Sequence, residues 1–341
     1  MAPPAQFGFI DGGERANNNV GYYAAEGVSA NSFSALNGKS YFRTGDQYAP
    51  GSSVAPPGFS AVTSYWTIRF VLDSLGDGTT IHFGNAAGND QVKLVFNGNG
   101  SVSLYSGISL LGTSAAAIFY PGKEYQFSLA VKIDATAGFV TIYRDGNPTP
   151  FAGVSVSNVD TAADTSSLAI THMSFSTSGV GASFMFRDVS WHDGTGPAPF
   201  NAVLGDCGAE YTPASVNVSS QLTPSTGTSN AAIYGAAPPT GAYCGSSTVG
   251  AADTVTMAPL PSNVVSVIGF KAFDYAAKSD TGSRAVQKSL KSGSTVVTGA
   301  ENYLTQSPTL YEDVYTTDPA TGAQITVAAY NALQLTETVA A

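Results

Sequence analysis

Charged residues are scarce in this sequence. Among 341 residues there are 14 Lys and Arg and 24 Asp and Glu, so 11% of the chain is charged and the net charge is −10. No cluster of basic residues occurs. Proteins that bind nucleic acid need such a cluster to neutralise phosphates. We therefore do not expect the protein to bind nucleic acid.

Long hydrophobic runs are also absent. No stretch approaches the roughly 18 apolar residues that a membrane-spanning helix requires. The N-terminal stretch "MAPPAQFGFIDGG" lacks the charged start and apolar centre of a secretory signal. We therefore expect a chain that is made in a cytoplasm without a signal peptide and that does not insert into a membrane.

Cysteine is nearly absent, with only Cys207 and Cys244 in the whole chain. Two cysteines in a chain of this length do not form a disulfide framework. Two interpretations stay open. Either both are free thiols, or they form a single intramolecular or intermolecular disulfide.

Small polar residues and strand formers are abundant. Glycine accounts for 37 residues, tyrosine for 17 and phenylalanine for 18, while the helix-forming Glu, Lys and Arg are few. This composition favours strands joined by glycine-rich turns. It predicts an all-β chain.

Period-two alternation of apolar residues marks individual strands. In "WTIRFVLDSL" the residues Trp66, Ile68, Phe70 and Leu72 fall on one face. "VKLVFNGNGSVSLY" alternates on both sides of Asn97–Gly100, which is a strong hairpin signal. Strands with one apolar face each predict two antiparallel sheets packed together as a sandwich.

The chain is longer than one ordinary core accommodates. The passage "HDGTGPAPFNAVLGD" interrupts the strand pattern with glycines and prolines, as a domain junction does. We predict a first β-sandwich over residues 1–195, a linker over 196–206 and a second β-rich domain over 207–341. Near the C-terminus, Asp318–Gly322 has the residues of a tight turn, and a packed apolar element follows it.

Several of these segments resemble known families. "FIDGG", "NGKSYFR" and "FSLAVKIDATAGFVTIYRDGN" resemble laminin-G/concanavalin-A-like sandwiches, which implies a jelly-roll topology for the first domain. "DVSWHDGTGPAPFNAVLGDCGAEYTPA", "AAKSDTGSRAVQKSLKSGST" and "DPATGAQITVAAYNALQL" resemble structural virion proteins of tailed bacteriophages, in the same order along nearly the whole chain. This chain departs from that pattern at Cys207, Cys244 and Ile325, where the family often has other residues.

The resemblance implies a non-enzymatic structural component of a tailed-phage virion, exposed on the particle as a capsid decoration, neck or collar part, or fibre subunit. Its expected partners are other copies of itself and other virion proteins. The alternative is a receptor-binding fibre protein that binds a host-surface glycan. A polysaccharide depolymerase is the least favoured alternative.

The sequence offers no recognisable catalytic motif, so we expect no enzyme activity. The seven glutamates lack the E-x-D-x-E spacing that would place two carboxylates on one strand face. There is no G-x-S-x-G motif, and the three histidines are far apart in sequence. Two carboxylates could still converge from distant strands.

Two kinds of binding site have candidate residues. Glycans stack on aromatic rings, and Tyr22, Tyr23, Tyr105 and Trp191 are the candidates for that role. Each could equally be an ordinary core or sheet-face aromatic. Calcium prefers oxygen ligands, which Asp73, Asp77, Asp90 and Asp134 could supply. Single aspartates in turns more often stabilise the turn, so we assign no cofactor and no metal.

Overall fold

The computed structural model describes residues 7–10, 28–29, 32–36, 39–43, 52–56, 58–75, 78–177, 184–196, 198–236 and 241–341. Internal contacts divide the chain into two compact units. The first ends at Ala209, and the second extends from Glu210 to Ala341.

Sheet A of the first unit has eight antiparallel strands. Their order across the sheet is β13-β12-β11-β6-β15-β4-β3, and β1 also pairs with β15. The bounds are β1 Phe7–Ile10, β3 Ser32–Leu36, β4 Lys39–Arg43, β6 Thr63–Leu72, β11 Glu124–Lys132, β12 Gly138–Arg144, β13 Val156–Val159 and β15 Phe184–His192.

Sheet B of the first unit has seven strands, also antiparallel. Their order is β10-β9-β8-β7-β14-β5-β2. The bounds are β2 Val28–Ser29, β5 Ser52–Val54, β7 Thr79–Gly84, β8 Asp90–Phe96, β9 Val102–Ser106, β10 Ser109–Thr113 and β14 His172–Ser176. The predicted hairpin is confirmed as β8 and β9, with Gly100 at φ 74° in the connecting turn.

The two sheets pack face to face through aromatic side chains. Ring centroids are 5.4 Å apart for Phe70 of sheet A and Phe96 of sheet B, and 4.9 Å apart for Phe184 and Phe175. The residues predicted to share the inner face of β6 are all buried. The first unit is therefore an antiparallel β-sandwich, as the alternation predicted.

The second unit is built around sheet C, with strand order β16-β19-β24-β21-β22. Two small sheets accompany it, β17 with β18 and β20 with β23. The bounds are β16 Ala214–Ser219, β17 Thr223–Pro224, β18 Cys244–Gly245, β19 Ala252–Met257, β20 Phe270–Ala276, β21 Ala285–Ser292, β22 Thr295–Tyr303, β23 Thr309–Tyr315 and β24 Gln334–Val339. Helices α1, Asn230–Tyr234, and α2, Val327–Asn331, are one turn long.

The predicted C-terminal turn and packed element are confirmed. The Gly322 N–H donates to the carbonyl of Asp318, and Gly322 has a φ of 69°. Ile325 and Leu333 then enter a core with Phe270 and Leu290. The end of the described chain is thus part of the hydrophobic core of the second unit.

The predicted fold class is confirmed, since the chain is all-β with antiparallel sheets in both units. Each described helix has only five residues, far short of the length needed to cross a bilayer.

The passage predicted as a linker, 196–206, belongs instead to the first unit. Polar side chains of sheet A bind its backbone, as described below.

Candidate functional site

The outer face of sheet A is covered by residues 198–209, which we call the strap. Gly205 O accepts hydrogen bonds from Gln126 Nε2 and from Ser128 Oγ, both at 2.8 Å. Gln126 and Ser128 alternate along β11 with the apolar residues Tyr125, Phe127 and Leu129, a pattern typical of solvent-facing positions, yet both are buried. The glycines and prolines of this passage therefore shape a segment that lies along the sheet, not a flexible junction.

Arg69, on β6, binds the strap at the centre of this face. Its Nη2 lies 2.7 Å from Asp206 Oδ1, and its Nε donates to Cys207 O at 3.4 Å. The same guanidinium group lies 3.5 Å from Glu124 Oε1 and 3.4 Å from Asp188 Oδ2. Three carboxylates from β11, β15 and the strap therefore converge on one arginine.

A second arginine neutralises this cluster further. Arg187 Nη2 lies 2.8 Å from Asp188 Oδ2, and Arg187 Nε lies 3.8 Å from Glu124 Oε2. Convergent carboxylates are what a glycosidase needs, but one of them must act as a proton donor. Here both inner carboxylates contact two guanidinium groups, which favours a structural ion-pair network. The cluster holds the strap and does not support a depolymerase.

His192, at the end of β15, lies beneath the strap. Its ring stacks on Tyr65 with centroids 4.7 Å apart and meets the edge of Phe200, which the strap contributes. The Gly194 N–H donates to Nδ1 at 3.2 Å. Burial lowers the pKa of His192 to about 4. The site therefore holds a neutral imidazole at neutral pH.

Both cysteines are free thiols. Cys207 lies on the strap, with its thiol against Ser190 and Thr67, and burial raises its pKa. Burial likewise raises the pKa of Cys244 to about 11. The structure contains no intramolecular disulfide, and low thiolate content makes both thiols poorly reactive. An intermolecular bridge stays a prediction.

We expect Arg69→Met to expose Cys207 to alkylation. Loss of the Arg69 contacts should make the strap open more often. If the free energy of opening falls by about 1.4 kcal/mol, Cys207 should be modified roughly tenfold faster. The measurement is the rate of iodoacetamide labelling at each cysteine, followed by peptide mass spectrometry. Cys244 is the internal reference, and Lys132→Met is the matched control. Equal rates of Cys207 labelling in the wild-type protein, Arg69→Met and Lys132→Met would show that Arg69 does not hold the strap.

The outer face of sheet B carries a row of polar side chains across adjacent strands. Tyr105, Lys93, His82, Ser174 and Ser53 lie side by side on β9, β8, β7, β14 and β5, and all five are partly exposed. The Lys93 ammonium group lies 5.7 Å from the centroid of the Tyr105 ring. We call these five residues, with Asp90 and Ser176, the sheet B face.

A hydrogen-bonded chain crosses the sheet B face. His82 Nδ1 lies 2.7 Å from Asp90 Oδ2, and His82 Nε2 lies 2.8 Å from Ser176 Oγ. The hydrogen bond to His82 lowers the pKa of Asp90, against the opposing effect of burial. With the carboxylate accepting from Nδ1–H, a neutral His82 can accept the Ser176 hydroxyl at Nε2.

The order Asp90–His82–Ser176 matches that of a nucleophilic triad. A triad also requires an oxyanion hole, which is usually made of backbone N–H groups free to bind substrate. Ser176, at the end of β14, pairs with Thr80 of β7, and the residues before it, Met173–Phe175, pair with both β7 and β5. Because the β14 backbone is engaged in the sheet, the geometry supports a polar binding surface better than an activated serine.

The aromatic candidates for glycan stacking are distributed unequally. Tyr105 lies on the sheet B face, where its ring could meet a ligand. Trp191 is only 8% exposed and packs against Trp66 with ring centroids 6.2 Å apart, so it offers no free ring face. For Trp191 the structure therefore supports the other interpretation, an ordinary core aromatic, because β15 directs the ring into the sandwich. Tyr22 and Tyr23 lie outside the described residues.

Two of the four calcium candidates have other roles in the structure. Asp134 Oδ1 accepts from the backbone N–H groups of Thr136 and Ala137, as a turn-stabilising aspartate does, and these bonds lower its pKa. Asp90 binds His82, and Asp77 lies outside the described residues. Within the part of the chain that the structure describes, no three His, Cys, Asp or Glu side chains are placed to hold a metal.

No protein-family model and no curated protein matches the sequence. Among solved structures, a Trypanosoma rangeli sialidase is 14% identical with a TM-score of 0.37, over 55% of this chain and 30% of that chain. The lectin UEA-II, solved with galactose, is 9% identical with a TM-score of 0.35, over 55% and 98%. The exoplasmic/lumenal domain of VIP36 is 11% identical with a TM-score of 0.33, over 49% and 88%.

This chain spans less than a third of the length of the similar sialidases. At these identities and TM-scores, the comparisons identify neither an activity nor a ligand of this chain.

Proposed function

We propose that this chain is a non-enzymatic structural component of a tailed-phage virion, exposed on the particle as a capsid decoration, a neck or collar part, or a fibre subunit. The order of sequence segments that resemble virion proteins supports this assignment. The structural observation that carries it is the pair of edge strands of sheet C, β16 and β22, which present apolar side chains to solvent.

The edge strand β22 is nine residues long, and among the described strands it pairs with β21 alone. Val296, Val297 and Tyr303 on this strand are all exposed, and Tyr303 reaches 63%. At the other edge, Val216 and Val218 of β16 are 58% and 50% exposed. Long apolar edge strands are templates for pairing with another chain. They suit a protein whose partners are other copies of itself and other virion proteins.

A second candidate function is binding of a host-surface glycan by a fibre. The sheet B face favours this candidate because it combines Tyr105, a stacking surface, with the hydrogen-bonding groups of His82 and Asp90. Sugar sites commonly combine an aromatic ring with a few oriented polar groups. The two candidates are compatible, since a fibre subunit can be both structural and adhesive.

We expect an antibody raised against the recombinant chain to label intact, purified phage particles in immunogold electron microscopy. Label on the capsid or neck would support a decoration or collar part. Label at the distal tail or fibre tips would support the receptor-binding candidate. Preimmune serum and antibody absorbed with the recombinant chain are the controls. Particles without label, from a lysate in which the antibody detects the chain by immunoblot, would contradict a surface-exposed virion protein.

A further inference from the structure

A fully buried lysine lies inside the second unit. Lys288 is 0% exposed, and it lies on β21 between Val286 and Leu290, which face the core. Taking an ammonium group out of water is costly unless other groups neutralise and hydrogen-bond it. The surroundings of Lys288 therefore determine its chemical state.

Lys288 is surrounded by carboxyl groups from the neighbouring small sheet. Its Nζ donates to Asp274 Oδ1 on β20 and to Tyr311 O on β23 at 3.1 Å. Asp313 Oδ2, also on β23, lies 3.7 Å away. Lys288 thus extends from sheet C to the β20–β23 sheet, where acid groups outnumber the single amine.

Glu337 completes the group from the adjacent strand. It lies directly opposite Lys288 in the β21–β24 ladder and hydrogen-bonds Asp274. Burial, with the nearby charge of Asp274, raises the pKa of Glu337 well above its usual value. A protonated Glu337 can therefore donate to Asp274. Asp274 Oδ2 is buried and accepts no hydrogen bond from the usual N–H and O–H donors of the described residues, so a protonated Glu337 can serve as its donor.

We propose that Lys288 and Asp274 react with each other to form an intramolecular isopeptide bond, with Glu337 as the acid that assists the reaction. The three groups required for this condensation are already in contact. They are an amine nucleophile, a carboxyl electrophile and a protonated carboxyl that hydrogen-bonds the electrophile. This inference is independent of the proposed virion function.

The reaction begins with a proton transfer. Burial raises the pKa of Asp274, so its carboxylate can take a proton from the Lys288 ammonium that donates to it, leaving a neutral amine and a neutral acid. Lys288 Nζ then attacks Asp274 Cγ while Glu337 donates its hydrogen to the developing oxyanion.

The intermediate then collapses to the amide. A C–N bond forms, one C–O bond of Asp274 breaks, and one water leaves with the protons that the amine and the acid supplied. Glu337 recovers its proton, and nothing is oxidised or reduced. The product is a neutral amide in place of a buried ion pair, and it covalently joins β20 to β21 across the two sheets.

Tryptic peptide mapping of the purified full-length chain tests this proposal. Trypsin cleaves after Lys271, Lys278, Arg284 and Lys291, but an amide at Lys288 blocks cleavage there. We expect peptide 272–278 joined to peptide 285–291, with a mass lower by one water than their sum. The intact protein should be lighter than its sequence by the same water.

Variants assign the role of each group. Lys288→Arg keeps the positive charge, and Asp274→Asn keeps the shape. We expect the arginine variant and Glu337→Gln to show the full sequence mass and separate peptides. Asp274→Asn can still react by releasing ammonia, so Asp274→Ala is the variant expected to remain unlinked.

Each alternative result overturns a defined part of the proposal. Cleavage after Lys288 in the wild-type protein, with free 272–278, would show that the pair is only a salt bridge. Linkage of 285–291 to the C-terminal peptide 292–341 would show that a carboxyl group of that peptide is the electrophile instead of Asp274, and fragmentation of the linked peptide would tell Asp313 from Glu337. Complete linkage in Glu337→Gln would remove Glu337 from the reaction. The wild-type map decides the main point even if a variant does not fold.

Discussion

Phe70→Ala is expected to destabilise the first unit by about 3–5 kcal/mol, the usual cost of removing a buried phenylalanine ring. Phe70 is 0% exposed and lies at the centre of the aromatic core. The centroid of its ring is 5.0 Å from that of Phe127 and 5.4 Å from those of Phe96 and Phe184. Because rings from both sheets surround Phe70, the neighbours cannot collapse into the cavity without moving the sheets.

Tryptophan fluorescence during urea unfolding measures this effect in the first unit alone. The chain has two tryptophans, Trp66 and Trp191, and both lie in the first unit. Ile108→Ala is the matched control, because Ile108 is 96% exposed and its loss should change stability by less than about 0.5 kcal/mol. If Phe70→Ala does not fold, Phe70→Leu should give a smaller measurable loss. Equal midpoints for Phe70→Ala and Ile108→Ala would refute the assigned core.

Acidification is expected to destabilise the same unit between pH 6.5 and pH 4. Folding lowers the pKa of His192 to about 4, chiefly through burial. Below pH 6.5 the unfolded chain binds a proton at this position that the folded chain does not. The contribution of the neutral His192 ring to the free energy of unfolding is therefore fully present above pH 6.5 and declines as the pH falls. The full loss is on the order of 3 kcal/mol.

The measurement is the urea midpoint of tryptophan fluorescence at a series of pH values from 4 to 7.5. His192→Gln removes the titrating ring, so its midpoint should vary much less with pH. Ile108→Ala is the matched control, since it changes an exposed side chain that does not titrate and should keep the wild-type dependence. A pH dependence that survives in His192→Gln would exclude the buried imidazole as its source.

Alternation in the sequence was sufficient to predict the sandwich. Strands such as β12 and β14 bury alternate residues, and on β6 the residues Trp66 and Ile68 are buried where a period of two places them. The strap was not predictable from the same pattern. Its contacts join Arg69, Gln126 and Ser128 to carbonyl groups far along the chain. A local sequence pattern does not indicate contacts between residues so distant in sequence.

The sequence does contain one indication of the buried group formed by Lys288, Asp274, Asp313 and Glu337. Alternation puts Val286, Lys288 and Leu290 on one face of β21, and all three are buried. Glu337 likewise falls between Leu335 and Val339 on β24. A charged residue at a core-facing strand position predicts a buried partner of opposite charge. The sequence could not indicate that the partner is Asp274, because β20 belongs to a different sheet.

Strand β24 is synthesised after every other strand of sheet C, yet it lies inside that sheet between β19 and β21. On the ribosome, sheet C therefore cannot close until residues 334–339 have emerged, whereas every strand of sheets A and B precedes Glu210. The first unit can thus fold while the second is still being translated. Since β24 carries Glu337, the proposed amide would form only after sheet C has closed. The amide would then be a covalent mark that distinguishes chains in which the second unit has folded.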